Sequence, residues 1–322
     1  MESTLEQIVA VRTTKTIDSR APSVQIATNP SSDPQSLRQI ATGKDWELRR
    51  LVAGNPNTPT DVLWQLGIDF PEAILNNPVF ELLQLGQLQL AAEIPHATLT
   101  SLLQCEQVPK NFMEYAVSQQ DYSLWLAVAY NPDTSSRLLE NLAKKSRHQD
   151  RELIRAIAAH QHTPAHLLAE IMQIGSGVAQ IVAENAQTPI AVLEQILDKY
   201  GKTNDFTFVT LVALHPHLNP RLLVQMQLVP SESAAQDLWL AKQSATTSRQ
   251  LIELAHTDWN TLQLAVVRNP NTPGVTIEQI WHKMRIQHTS PSQIDRLKYD
   301  SFASNPNTSA QLRDELRKLL QW

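Results

Sequence analysis

The stretch Leu126-Ala127-Val128-Ala129-Tyr130-Asn131-Pro132-Asp133-Thr134-Ser135 decides how this chain folds. Its apolar run ends at an Asn-Pro pair, because a proline pushes the residue before it out of the helical region and asparagine bonds readily to its own backbone in turns. A threonine then stands where a new helix would begin, and threonine is a preferred N-cap residue. The stretch therefore predicts one helix end, a tight turn and the start of the next helix.

The same phrase recurs along the chain, so the sequence contains its own internal alignment. Its strong copies lie at 53–59, 129–135, 267–273 and 303–309, with weaker copies at 27–30, 75–78, 158–164, 183–189, 213–216 and 241–243. Spacings of about 22 to 30 residues are typical of stacked helical units, and such a unit buries its apolar side only against a neighbour. An alanine recurs two residues before the Asn position, which indicates close packing between helices.

The positions after the Asn predict how each following helix begins. We expect the threonine hydroxyl to accept a bond from a backbone N–H of the first turn, and a proline after it to occupy the first helical position. Apolar residues then form one stripe, as at Leu138, Leu139 and Leu142. On this interpretation Thr134→Ala lowers stability, whereas Asp133→Ala has little effect. The threonines concerned are Thr58, Thr134, Thr163, Thr188, Thr272 and Thr308.

These patterns predict an all-α protein. Each unit holds a helix of about three turns and a shorter helical piece, either α or 3₁₀, and the units stack into a right-handed superhelical α-solenoid. Residues 23–322 form a single helical repeat array, and residues 1–22 precede it as an N-terminal tail or capping helix. The segment 70–106 is compressed and apolar, and a tightly buried repeat is favoured there over an exposed groove for a partner.

Composition narrows the function. The net charge of −5 disfavours a broadly cationic surface for nucleic acid or membranes, which are bound largely by clustered Lys and Arg. The single cysteine, Cys105, excludes an internal disulfide and is expected to be a buried thiol in a reducing compartment. No signal-like or membrane-spanning stretch is found, so a cytoplasmic protein is predicted. Neither a phosphate-binding glycine loop nor a catalytic constellation is found, so no enzyme activity, cofactor or metal is predicted.

Two clusters of side chains have a second interpretation. His162 and His166 stand one helical turn apart, as metal ligands do, but His160 and His215 take the Asn position of their units, which favours turn residues over a metal site. Basic residues bunch between positions 144 and 155 and are interleaved with acids. A solvated helix face is therefore favoured there over a nucleic-acid contact.

The phrase Ala-x-Asn-Pro-x-Thr-Pro, followed by an apolar pair and a further apolar residue, resembles the variant leucine-rich repeat proteins of bacteria. The resemblance covers residues 23–322, is strongest at 47–66, 124–143 and 262–280, and is weak near 85–122. It implies units that alternate an α-helix with a 3₁₀-helix, no β-strand, and a binding role without catalytic residues. The cysteine-ligated iron–sulfur module of a founding member is not implied, since this chain lacks its cysteines.

Positions that change between matching units are candidates for recognition. Two such columns flank the Asn, one directly before it and one two residues after it, and plain solvent exposure explains their variation equally well. Aromatic and arginine side chains dominate binding energies at interfaces, which favours them as contacts. The candidate partner-binding residues are Tyr130, Arg268, Trp125, Trp281, Glu184 and Lys242, with Trp125 and Trp281 alternatively in the core.

The sequence therefore predicts a non-enzymatic scaffold that binds another protein along an extended solenoid surface. An RNA- or DNA-binding helical solenoid is the alternative, and a helical-repeat lyase or chaperone is a more distant one.

Overall fold

A computed structural model of the chain describes residues 22–86, 89–146, 150–201, 207–286 and 293–320. Within these ranges every regular element is a helix and no strand is present, which confirms the all-α prediction. The predicted tail or capping helix, residues 1–22, lies outside the described residues except for residue 22. The chain divides into two compact units, unit 1 from Met1 to His162 and unit 2 from Thr163 to Trp322. The single array over 23–322 stays a prediction.

Unit 1 contains twelve of the described helices. They are α1 at 22–28, α2 Pro34–Ala41, α3 Trp46–Ala53, α4 Thr60–Leu66, α5 Pro71–Leu75, α6 Pro78–Gly86, α7 Leu90–Glu93, α8 His96–Leu103, α9 Lys110–Ser118, α10 Tyr122–Tyr130, α11 Ser136–Lys145 and α12 Arg151–Ala159.

Unit 2 continues the alternation of helix and turn. Its helices are α13 Ala165–Ile171, a 3₁₀-helix Met172–Ile174, α14 Ser176–Glu184, α15 Ile190–Tyr200, α16 Thr207–Leu214, α17 Pro220–Gln225, α18 Glu232–Lys242, α19 Ser248–Leu254, α20 Asn260–Arg268, α21 Gly274–Ile286, α22 Gln293–Ser304 and α23 Ala310–Leu320. Both helices of a repeat are thus α, and Met172–Ile174 is the one 3₁₀-helix within the described ranges, unlike the α/3₁₀ alternation that the resemblance implies.

The helices of each unit lie in two rows. First-row helices end at the repeat turn and stack on one another, α8 on α10 and α10 on α12 in unit 1, α14 on α16 and α18 on α20 in unit 2. Second-row helices stack in the same way, α2 on α4 and α9 on α11. Successive repeats therefore pack with like elements side by side, as the repeated phrase requires.

Burial follows the predicted stripes. Leu138, Leu139 and Leu142 are all buried, and Leu139 and Leu142 have no exposed surface. The alanine two residues before the turn is at most 1% exposed in seven repeats, so a larger side chain there would have to displace a neighbouring helix. These alanines are Ala27, Ala53, Ala129, Ala158, Ala183, Ala213 and Ala241.

The asparagine of the phrase connects successive repeats. In Asn131 the side-chain Oδ1 accepts from the Asp133 backbone N–H at 2.8 Å, which closes the predicted turn. The Nδ2 donates to the carbonyls of Leu103 and Cys105 at 2.6 and 2.7 Å, at the end of the preceding first-row helix. Side chains of the same kind do this along both units. The further rungs are Asn55, Asn77, Asn269 and Asn305. We call the series the asparagine ladder.

The threonine of the phrase has a different role from the predicted one. Thr134 is fully buried, and its hydroxyl donates to the carbonyl of Val128, in the last turn of the helix that precedes it. The N-cap of α11 is Ser135, one residue later. The N-cap prediction is therefore wrong here, because the hydroxyl faces the unpaired carbonyls of a helix end rather than the amides of a helix start. The same bond is made by Thr58, Thr188, Thr246, Thr272 and Thr308.

The asparagine ladder predicts that removing one of its asparagine side chains lowers the free energy of unfolding substantially. Asn131→Ala leaves the buried Leu103 carbonyl and the part-buried Cys105 carbonyl without their donor, and we expect it to lower the free energy of unfolding by roughly 3 kcal/mol. Asn76→Ala is the matched control, since Asn76 is exposed and its Nδ2 bonds to a carbonyl of its own helix; its cost is about 0.5 kcal/mol or less. Urea denaturation followed by circular dichroism measures both. Equal losses would contradict the ladder.

The threonine bond is tested by substitutions that keep or remove a donor. Thr134→Val keeps the shape but removes the hydroxyl, and we expect it to cost about 1 to 2 kcal/mol, whereas Thr134→Ser keeps the donor and costs less. Thr134→Asp distinguishes the two roles, because Asp is a good N-cap but an ionised carboxylate has no proton to donate. A Thr134→Asp variant as stable as the wild type would restore the N-cap interpretation.

Candidate functional site

The column two residues after the Asn is bound to the framework rather than free. The Asp133 carboxylate accepts from the backbone N–H of Gln107 at 2.8 Å, and Gln107 has a φ of 61°, so Asp133 holds a turn that a non-glycine residue rarely adopts. Asp133→Ala is therefore expected to matter, contrary to the prediction from sequence. In the same column, Asn57, Asn271 and Asn307 donate to carbonyls of the preceding repeat.

The column directly before the Asn contains the exposed candidates. Tyr130 is 56% exposed at the end of α10, as expected for a contact residue. Arg268 keeps part of its side chain at the surface, but its Nε–H donates to the Ser301 hydroxyl at 2.8 Å and burial lowers the pKa of its guanidinium, while Glu184 is exposed on α14. These three residues thus remain on the surface, Tyr130 in unit 1 and the other two in unit 2.

Lys242, predicted as a partner contact, instead replaces a rung of the ladder. Its Nζ donates to the carbonyls of Ala213, His215 and Leu218 at 2.9 to 3.1 Å, two of which are the carbonyls that a ladder asparagine would bind. Gln243 holds the Asn position but donates to Trp239 of its own helix. Burial lowers the pKa of the Lys242 ammonium to about 8. The assignment of Lys242 to a partner surface is corrected, because its donors are used inside the fold.

The two tryptophans differ in exposure. Trp281 is 3% exposed and packs against Phe302 with 5.2 Å between ring centroids, so it is a core residue and not a contact. Trp125 is half-buried, and its Nε1 donates to the Gln119 carbonyl at 2.8 Å while Lys145 lies over its ring. Of the six candidates, the structure therefore leaves Tyr130, Arg268 and Glu184 exposed and Trp125 in part.

His160 and His215 are turn residues, as their alignment with the Asn position predicted, and each also bonds to the preceding repeat as a rung of the ladder. In His160, Nδ1 accepts from the His162 backbone N–H at 3.0 Å, which places the proton on Nε2, 2.8 Å from the Asn131 carbonyl. His215 makes the same pair of bonds, to the His217 N–H and the Asn185 carbonyl. Burial lowers the pKa of both imidazoles. No group of three or more His, Cys, Asp or Glu side chains suited to a metal occurs in the described parts of the chain.

The histidine rungs predict a pH dependence of stability. Their pKa in the folded state lies below the unfolded value of about 6.5, so their stabilising contribution is complete above that pH. The stabilising contribution of the two histidines is lost as the pH falls from about 6.5 through their pKa in the folded state, since a protonated Nδ1 no longer accepts the backbone N–H. The double variant His160→Asn, His215→Asn keeps the rungs without a titrating group, and its urea midpoint should fall less than that of the wild type between pH 7.5 and 5. Parallel profiles would contradict this role.

A concavity in unit 1 was not predicted. It has a volume of about 690 Å³ and lies over α3 and α5, between the repeat turns at Asn55 and Asn76. The repeat between Asn55 and Asn77 spans only 22 residues, and α5 has 5 residues where α3 has 8. The shortened helix leaves the first row incomplete there. Its lining includes Ala27, Trp46, Arg50, Leu51, Gly54, Asp69, Phe70, Glu72, Ala73 and Asn76.

A second concavity continues the first. It has a volume of about 670 Å³ and shares Glu72 and Asn76 with it. Its other lining residues are Leu75, Gln104, Cys105, Glu106, Gln107 and Pro132. The two concavities adjoin at these shared residues and follow the repeat turns of unit 1; together we call them the turn-edge groove.

The groove has an aromatic end and an acidic middle. Trp46 is 55% exposed and its ring lies on Phe70 with 4.2 Å between centroids, so its outer face is open to solvent. Asp69 and Glu47 are paired with Arg49 and Arg50. The carboxylates of Glu72 and Glu106, in contrast, form no ion pair within the described parts of the chain. Both carboxylates line the second concavity, so negative charge without an ion pair is concentrated in it.

The compressed segment is only partly buried. Phe70, Ile74 and Phe80 are at most 5% exposed, as the favoured interpretation requires, whereas Leu82 and Leu85 on α6 are 66% and 84% exposed. The short spacing between the Asn-Pro turns at Asn55 and Asn77 is a sequence signal that could have indicated the groove.

Two possible nucleophilic centres lack catalytic geometry. His96, Asp121 and Ser123 lie together, but the Asp121 carboxylate and the Ser123 hydroxyl both contact the same Nε2 of His96, at 2.8 and 3.2 Å. In a catalytic triad the two contacts are made by different ring nitrogens, so that the proton passes through the imidazole. Burial raises the pKa of the Cys105 thiol, with the Glu72 charge adding to the effect, which is the opposite of thiolate activation.

No protein-family model, curated protein or solved structure matches this chain. The resemblance to variant leucine-rich repeat proteins thus remains a prediction from the phrase. Within the described ranges, no helix has both the length and the apolar character that a bilayer crossing requires.

Proposed function

We propose that this chain is a non-enzymatic repeat scaffold that binds an extended segment of a partner protein in the turn-edge groove. The observation that carries the proposal is that the two concavities adjoin at Glu72 and Asn76, so that together they pass successive repeat turns. A chain in extended conformation matches such a groove, because it advances along one direction and presents side chains to successive repeats. The partner-binding role expected of helical repeats is thereby assigned to a defined surface.

The proposal also includes the arrangement of the repeats, which is described for each unit separately. The repeats of a unit wind as a right-handed superhelical α-solenoid of the variant leucine-rich repeat kind. Support comes from the recurring phrase and from the ladder bonds, which set the same offset between consecutive repeats. The offset changes where repeat length changes, from 22 residues at Asn77 to 26 at Asn55, and this variation shapes the groove.

A protein partner fits the groove better than a nucleic acid does. Phosphates are bound by Lys and Arg, and each contact releases counterions. The lining of the turn-edge groove includes Asp69, Glu72 and Glu106 but only one basic residue, Arg50, which is paired with Glu47. Trp46, with its open ring face, is the kind of residue that contributes most to protein interfaces. The RNA- or DNA-binding alternative would need another surface, such as residues 144–155.

The proposal is tested by filling the groove and by mapping what occupies it. A photocrosslinking amino acid at position 54 or 104, introduced into the full chain in its native cell, should crosslink to one and the same short segment of a protein. Position 54 tolerates a side chain, since a Cβ on Gly54 meets only the Leu51 carbonyl at an ordinary 3.7 Å. Gly54→Trp should then reduce crosslinking from position 104 by about tenfold or more, which corresponds to about 1.4 kcal/mol.

Gly177→Trp is the matched control. A Cβ on Gly177, in unit 2, meets nothing within 4 Å, so this variant adds the same side chain outside the groove and should leave the crosslink unchanged. Crosslinks to nucleic acid, or a crosslink that Gly54→Trp does not reduce, would overturn the proposal. Thermal unfolding of both variants shows that the fold is retained.

A further inference from the structure

We infer that the partner segment carries a Lys or Arg side chain that binds between Glu72 and Glu106, and an apolar side chain that packs on Trp46. The inference rests on the proposed function and specifies the chemistry that the groove recognises. It follows from the distribution of charge and of apolar surface along the groove.

The acidic side chains around the groove differ in whether their carboxylates already bind an arginine or a backbone N–H. Asp133, near the second concavity, accepts a backbone N–H from Gln107, while Asp69 and Glu47 pair with arginines. Glu72 and Glu106 have no such cationic partner within the described ranges. A cation entering the groove therefore meets two carboxylates whose charge is uncompensated, and charge complementarity of this kind selects partners and speeds their encounter.

Backbone dipoles add to this negative potential. The helices α3 and α8 both end at the groove, with Gly54 and Gln104 as their C-cap residues, and both caps are part of its lining. A helix C-terminus carries a partial negative charge that favours a nearby cation. Glu72 also lies close enough to the Cys105 thiol for its charge to add to the effect of burial, which raises the pKa of that thiol.

The aromatic end sets the direction of the bound segment. Arg50 lines the first concavity together with Trp46, so a cation at this end would meet a like charge. An apolar side chain instead finds the exposed ring of Trp46, already supported from behind by Phe70. These two preferences place the apolar side chain of the partner at Trp46 and its cation toward Glu106. The net charge of −5 on the chain favours the approach of a basic segment.

The test uses a phage-displayed library of random 12-residue peptides, selected on the full-length chain. We expect the enriched peptides to share a Lys or Arg and a nearby apolar residue. A synthetic copy of the most enriched peptide, labelled with fluorescein, is then titrated by fluorescence anisotropy. The double variant Glu72→Gln, Glu106→Gln should weaken its binding by about tenfold or more, and added salt should weaken binding to the wild type more than to this variant.

Glu114→Gln is the matched control, since Glu114 is an exposed acid on α9 that does not line the groove; it should change affinity by less than about twofold. The Gly54→Trp variant distinguishes a failure of this inference from a failure of the proposed function. Enriched peptides that lack Lys and Arg, or whose binding is lost with Gly54→Trp but unchanged in the double Gln variant, overturn the inference and leave the groove as a peptide site. A selection that yields no peptide sensitive to Gly54→Trp overturns the proposed function itself.

Discussion

The structure depends on one demand: the carbonyls at the end of each first-row helix need donors from the next repeat. Asn131 meets it because one amide carries an acceptor that closes its own turn and a donor that reaches back to Leu103 and Cys105. The substitutes obey the same rule. His160 provides an acceptor and a donor on opposite sides of a ring, and Lys242 supplies its ammonium from one residue earlier. Because buried carbonyls without partners are costly, the turn tolerates only side chains that solve this problem.

The ladder also decides what remains for a partner. The polar atoms of the phrase are used within the framework, including the column two residues after the Asn that had seemed variable. Recognition is left to first-row positions such as Trp46 and to places where repeat length departs from the rest. In the shortened repeat, Asn77 still donates to the two carbonyls of the preceding turn. The residues that this repeat lacks are therefore missing from α5, and the space that the short helix leaves is the groove. The proposed binding surface is thus a consequence of one shortened repeat among repeats of more regular length.

The distribution of charge along the turn-edge groove is the basis of its proposed selectivity between partner segments. Pairing of Asp69 and Glu47 with neighbouring arginines leaves Glu72 and Glu106 as the acids of the groove that form no ion pair within the described residues, and one helix C-terminus borders each concavity. The aromatic pair Trp46 and Phe70 occupies the other end. A groove with an apolar end and an anionic middle distinguishes partners by the order of their side chains, which a uniformly apolar groove does not.

The sequence by itself determined the helical class, the turns that carry the Asn phrase and the buried stripes, because these follow from local rules for proline, asparagine and helical periodicity that act within a few residues. It also identified His160 and His215 as turn residues. Tertiary structure alone decided which way a hydroxyl or an ammonium points. Thr134 is a good N-cap by local preference yet donates to Val128, and Lys242 looks like a surface charge yet binds three carbonyls of the preceding repeat. Trp281 is likewise placed by its neighbours. The groove, too, exists only between repeats, since its walls are 22 to 28 residues apart in sequence and meet only when the helices stack.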